Sequence, residues 1–180
     1  MTIGLVSDTH GYYHPALDDV LRGVDLILHA GDVGAVDVLD RLEALAPVRA
    51  VYGNIDGQDV RRRAPEHFRG TIGGVRLWMT HIGGHPGKPG GPPRWARGIG
   101  AALRAERPDV FVCGHSHILR AERVPALGGM LFVNPGAAGR QGFHTVKTCL
   151  RLHVAHGRTA RLDVVHLDAP AGEASPLLPP

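Results

Sequence analysis

The sequence predicts a single α/β domain built as a two-sheet β-sandwich flanked by helices, and three observations carry that prediction. The first fifty residues alternate short apolar, partly β-branched runs with stretches of helical periodicity. That β-α-β-α-β pattern implies a parallel core sheet with right-handed crossovers. Further on, strands follow one another across short turns, starting at the hairpin signal Gly73-Gly74, which implies later, largely antiparallel strands. Finally, five apolar runs end in Asp, Asn or His, and open α/β sheets bind ligands just outside the carboxyl ends of their strands.

The elements follow in order. Residues 3–6 read as a buried strand that runs into Ser7-Asp8-Thr9-His10-Gly11. Tyr12-Tyr13-His14-Pro15 opens a helix to about residue 22, with Pro15 suited to its first turn. Residues 25–30 form the second strand and lead into Gly31-Asp32. Val36, Leu39, Leu42 and Leu45 recur at helical spacing, so 35–45 is an amphipathic helix. Residues 48–52 form the third strand, ending at Gly53-Asn54, and 59–64 a short helical piece. Residues 68–72 and 75–80 form the hairpin, which ends at His81. Residues 82–93, rich in Gly and Pro, read as a loop, 95–105 as a helix stopped before Pro108, and 109–113 as another buried strand before Gly114-His115-Ser116-His117. Residues 119–124, 129–133, 146–154 and 159–167 read as the later strands. The domain is expected to span 1–168, with 169–180 as a disordered tail.

Composition narrows the class. A chain of 180 residues with 43% hydrophobic content is large enough for a full core. It has no apolar run long enough to cross a bilayer and no signal-peptide pattern at its start, so a cytoplasmic protein without membrane association is expected. Cys113 and Cys149 are the only cysteines, and Cys113, in a predicted buried strand, reads as a free core thiol. A net charge of +3 does not suggest a dedicated nucleic-acid binder. The 12 histidines push towards metal chemistry.

Asp8 and His10 are two apart in extended chain and so point to one side. With Asp32, Asn54, His81, His115 and His117 at four further strand ends, they make a ligand set for more than one metal. Oxygen and imidazole donors without thiolate suit Mn²⁺, Fe, Zn²⁺ or Ni²⁺.

Asp8-x-His10, Gly31-Asp32, Gly53-Asn54-x-Asp56, Thr80-His81 and Gly114-His115-Ser116-His117 resemble, in order and in strand context, the five motifs of the calcineurin-like metallophosphoesterases. Asn134-Pro135-Gly136 extends the match, and the chain is most similar to the small YfcE-type phosphodiesterases. The resemblance implies the calcineurin-like metallophosphoesterase fold and a phosphodiesterase with two divalent ions, Mn²⁺ first among them. Asp8, His10, Asp32 and His117 would hold one ion; Asp32, Asn54, His81 and His115 would hold the other, with Asp32 bridging. A metal-bridging water or hydroxide would be the nucleophile, with Asp8, Asp32, Asn54 and His81 acting through it. Many relatives read Gly-Asn-His-Asp where this chain has Gly53-Asn54-Ile55-Asp56, so the histidine that assists the leaving group is absent. YfcE-type members lack it too. The resemblance implies a small phosphodiester as partner. A nuclease, a non-catalytic scaffold of the same fold and a homo-oligomer stay open.

Other residues carry plainer expectations. His29, inside a strand, is a hydrogen-bonded core histidine rather than a ligand. His14, His153, His156 and His166 are surface residues, and His144 is ambiguous. Arg61-Arg62-Arg63, Arg94 and Arg97 could meet a phosphate-bearing substrate, but read first as solvated faces. His85, in the loop just after His81, is a candidate substrate contact and proton donor.

Overall fold

A computed structural model describes residues 1–88, 91–143, 145–169 and 174–178. Two sheets face each other. The first has the order β13-β12-β11-β1-β2-β3, from β1 (Thr2–Val6), β2 (Leu26–His29), β3 (Val48–Ala50), β11 (Thr148–Ala155), β12 (Arg158–His166) and β13 (Ala174–Leu178). The second has the order β4-β5-β8-β10-β9, from β4 (His67–Ile72), β5 (Val75–Thr80), β8 (Val110–Val112), β9 (Arg120–Val124) and β10 (Met130–Asn134). In each sheet three adjacent strands are parallel: β1, β2 and β3 in one, β5, β8 and β10 in the other. The remaining pairs of both sheets are antiparallel. The carboxyl ends of the two parallel blocks carry the candidate ligands.

Side-chain alternation assigns the faces. Ile3 and Leu5 of β1 point between the sheets and meet Leu77, Met79, Val110, Val112, Leu131 and Val133 from the opposite layer. Val6 and Ile27 point outward and are covered by Leu17 and Leu21 and by Leu39 and Leu42, from α1 (Leu17–Val20) with its following turn and α2 (Val36–Glu43). Each such fully buried aliphatic side chain stabilises the fold by about 1.5–3 kcal/mol. Gly4 has no side chain because a Cβ there would collide with Leu21. On the outer face of the second sheet, Trp78, Phe111 and Phe132 pack under Leu103 of α4 (Ile99–Glu106), with Trp78 and Phe111 edge to face at 5.1 Å.

The structure departs from the sequence expectations in several places. The first helix is a single turn, because Pro15 and His14 accept turn hydrogen bonds and Gly23, at φ 74°, reverses the chain early. The loop after His81 contains β6 (Gly84–His85), which pairs with β7 (Arg94–Trp95). Trp95 therefore belongs to that ribbon, and α4 starts only after Gly98 turns the chain at φ 80°. Part of the segment expected as a disordered tail forms β13, which extends the first sheet along β12. His14 is buried, not on the surface, with Nε2 3.0 Å from Asp168. His153 is half-buried beside Asp163 at 2.9 Å, whereas His156 and His166 are exposed. His144 lies outside the described residues. Both cysteines are buried and unpaired, and burial pushes each thiol up to about 12.

Candidate metal centre

The strand ends are joined to one another before any side chain is considered. Backbone N–H groups of Asp8, His10 and Gly11 donate to the carbonyls of Gly31, Asp32 and Val33, carrying the β1–β2 ladder past the strands. Gly114 N–H donates to the His81 carbonyl and does the same for β5 and β8. The two sheets meet where the His115 N–H donates to both oxygens of Asp8, each at 3.2 Å.

The glycines before the candidate ligands have a steric reason. A Cβ on Gly53 would land on Asp32 Oδ1, and one on Gly114 would land on Ser7 Oγ and the Asp8 carboxylate. Each glycine lets the next strand end approach its neighbour's ligand. The ligands themselves sit on strained backbone. Among the described residues, seven that are not glycine have positive φ, and five of them are Asp8 (53°), His10 (49°), Asp32 (51°), His115 (69°) and His117 (58°). Left-handed backbone costs roughly 1–2 kcal/mol per residue, and its concentration here marks a functional constraint.

Two clusters result. Asp8, His10 and His117 bring one donor atom each within 4.8 Å of one another, and so do Asp32, His81 and His115. Asp32 faces both: its Oδ1 lies 3.2 Å from His81 Nε2, and its Oδ2 lies 3.7 Å from His10 Nε2. Asn54 Oδ1 joins the second cluster, 3.1 Å from His81 Nε2. The seven residues predicted from the strand ends therefore converge. His85 stands apart; it shares a cavity wall with His115, and its Nδ1 accepts the Gly87 N–H at 3.0 Å.

The donor chemistry fits a cation. His81 Nδ1 donates to the Ala30 carbonyl at 2.8 Å, and His117 Nδ1 donates to the Gln141 carbonyl at 3.1 Å. In the neutral rings both Nε2 atoms are then lone-pair acceptors. Yet His117 Nε2 lies 3.3 Å from Asp8 Oδ1, so an acceptor faces an acceptor, and it lies 3.2 Å from His10 Nε2. Such a cluster attracts a proton or a metal ion. Burial opposes charge on Asp32, but the His81 hydrogen bond and charge, the Ile55 N–H and His10 outweigh it and hold the carboxyl below its usual range. Burial likewise opposes charge on His81, while its bond to Asp32 and the charges of Asp8 and Asp32 raise it above the ordinary imidazole value. The Asp8 hydrogen bond raises His117.

A ring of supporting groups holds the ligands. Ser7 Oγ donates to Asp8 Oδ2 at 2.6 Å. Asp56 accepts the N–H groups of Val33, Gly34 and Gly53, tying the loops after β2 and β3 together. Asn134 donates to the Gly114 carbonyl and to Ser116 Oγ. His29 is wholly buried behind the centre. Thr9 Oγ1 donates to the Val33 carbonyl, so it accepts from His29 Nε2 at 2.9 Å, and His29 Nδ1 accepts the Gly31 N–H. Burial pushes the ring down to about 4, and it stays neutral in that tautomer. Arg61 is exposed, as a solvated face should be, but sequence reasoning missed its part in holding the centre. The side chain of Arg61 donates to the carbonyls of Asp56 and Gly53 and lies over the Tyr52 ring, clamping the loop that carries Asn54. Its spacing from Asp56, just inside helix α3 (Gln58–Arg63), was the available signal.

Comparison with known proteins agrees with this geometry. Residues 1–157 match the calcineurin-like phosphoesterase superfamily domain. A probable metallophosphoesterase of Methanothermobacter thermautotrophicus is 35% identical over 142 residues, covering 76% of this chain and 77% of that protein. Among solved structures, Entamoeba histolytica Vps29 in complex with Zn²⁺ superposes with a TM-score of 0.70 at 23% identity, covering 98% of each chain. The E. coli phosphoesterase YfcE does so with a TM-score of 0.63 at 23% identity, covering 99% of this chain and 97% of that one. With its five strand-end motifs gathered at one candidate metal centre, the chain belongs to the calcineurin-like phosphoesterase superfamily.

Proposed function

We propose that the protein is a phosphodiesterase that works with two divalent ions, Mn²⁺ first among the candidates. One observation carries the reading: two ligand clusters share a wall in Asp32, whose two oxygens face opposite clusters. Asp8, His10, Asp32 and His117 would hold one ion, and Asp32, Asn54, His81 and His115 the other. When bound, such a pair supplies charge for the phosphoryl oxygens and lowers the pKa of water, the nucleophile. The chain's own part is to hold the ligands. Ser7 and the His115 N–H orient the Asp8 carboxylate, the Ile55 N–H does so for Asp32, and Ala30 and Gln141 turn the Nε2 atoms of His81 and His117 inward.

Ile55 offers only its backbone, and its exposed side chain has no proton for a leaving group. Activated diesters should therefore be cleaved better than alkyl monoesters. The Gly87 N–H occupies Nδ1 of His85 and leaves Nε2 as the nitrogen that can face a leaving group, which makes His85 the first substitute donor. The test is elemental analysis of reloaded protein, followed by aryl diesters and alkyl monoesters assayed over a range of leaving-group pKa. Two ions per chain and a steep dependence on leaving group are expected, and Ile55→His should flatten that dependence. One ion or fewer at saturation overturns the two-ion reading, and a preference for alkyl monoesters overturns the phosphodiesterase.

A scaffold is the second reading, favoured by apolar side chains at the rim. Ile55, Ile82 and Ile118 each follow a candidate ligand and are exposed. Protein that holds no ion at millimolar Mn²⁺ would support it.

A further inference from the structure

Two cavities border the cluster formed by Asp32, His81 and His115, one lined by His81 and the other by His115, and their walls differ in chemistry. One, of about 300 Å³, starts at Asn54 and His81 and runs between Tyr52, Arg61 and Arg97. Its one acid is Glu66, which accepts the Tyr52 hydroxyl. Arg61 bonds there to neutral carbonyls only, and Arg97 makes no ion pair among the described residues. Two cationic side chains therefore stand against one carboxylate. The other cavity, of about 310 Å³, starts at His115 and Ser116 and is walled by Ile118 and Phe132. Ile118 is 51% exposed, an apolar surface that water covers at a cost. The one guanidinium of this second cavity, Arg120, is paired with Glu122 and bonded to the Gly87 carbonyl.

We infer that the substrate is an unsymmetrical phosphodiester, with an apolar or aryl arm against Ile118 and Phe132 and an arm carrying a second negative charge against Arg61 and Arg97. The inference rests on the phosphodiesterase reading and deepens it by naming the substrate class. Its physical basis is that both cavities border the same candidate ion site, so a phosphoryl group held there sends its two ester arms into different surroundings. Either volume is enough for a small-molecule arm. A guanidinium with neutral partners gains from an anion, whereas the apolar wall gains by displacing water from the Ile118 side chain.

The test uses Mn²⁺-loaded protein, non-hydrolysable aryl phosphonate diester analogues studied by calorimetry, and the matching 4-nitrophenyl diesters studied by turnover. The second arm is either a carboxylate-tipped butyl group or its uncharged amide. Wild type should bind the charged arm about fivefold more tightly, and Arg97→Ala should bring the ratio close to one while leaving the amide unchanged. Ile118→Ser should weaken every aryl compound about fivefold against its methyl counterpart and leave the charge ratio intact. Equal binding of both arms in wild type, or a charge ratio that survives Arg97→Ala, overturns the inference. Binding with these preferences but no turnover of any diester overturns the phosphodiesterase reading and keeps the two-armed ligand. Turnover without arm preference does the reverse and leaves Ile118 to a protein surface.

Discussion

The two ligand clusters share Asp32 but hold their imidazoles differently. In the cluster of Asp32, His81 and His115, the His81 side chain is 2% exposed, and its ring is tied to the Ala30 carbonyl at the end of a central strand. In the cluster of Asp8, His10 and His117, the rings of His117 and His10 are 13% and 15% exposed, and His117 is tied to Gln141, in a loop beyond β10. The first cluster sets two buried side chains, Asp32 and His81, beside the exposed His115, and the second sets one buried side chain, Asp8, beside two half-buried rings. Rigid strand ends resist local opening more than loops do, so the His81 side should release its ion later under chelation. The lesson is that one carboxylate can face two clusters of unequal burial.

The largest effect is expected where the clusters join. Asp32→Asn removes a charge that faces both, and supporting groups alone are worth 10–100-fold in metal affinity. Loss of both ions and an activity fall well beyond about 100-fold should follow, read by elemental analysis and diester turnover. Retention of either ion at wild-type affinity would show the clusters to be independent.

A smaller effect should separate them. Ser7→Ala removes a 2.6 Å bond to Asp8 and is expected to weaken only the His117 side, by about tenfold or more. Arg61→Met frees the carbonyls of Gly53 and Asp56 and should weaken only the His81 side, by about tenfold. Titration of the chelated protein with Mn²⁺ reads both affinities. Two variants that change the same site would break the comparison.

The last effect is on stability rather than on metal affinity and concerns His29, which supports both sides through Thr9 and Gly31. Burial keeps it neutral in the fold down to about 4, while in the unfolded chain it is protonated below its ordinary value of about 6.5. Its contribution is therefore fully present above about 6.5 and is lost as pH falls towards 4, by about 1.4 kcal/mol per pH unit. His81 and His117, raised in the fold, act in the opposite sense. Denaturant midpoints of metal-free wild type and His29→Gln should thus be compared as a difference across this pH range. A difference that does not change with pH would mean that His29 is protonated in the native state.

Local chemistry determined the strands and the residue types at their ends. Apolar runs have a short period, and Asp, Asn or His after such a run is costly in a core and sensible only at its edge. The seven candidate ligands were legible for that reason. How they group was decided by tertiary structure, because the register of β1 on β2 and the meeting of two sheets at Asp8 and His115 join residues up to 107 positions apart. The same long reach buried His14 against Asp168, whereas Arg61 on the Gly53 carbonyl and Trp95 beside Gly84 are shorter contacts within segments that carry no clear period. The two unlike cavities beside His81 and His115 also exist only in the folded chain, since each wall is assembled from several loops. A periodic pattern reports what one segment will bury, whereas a site depends on which segments the crossovers bring side by side.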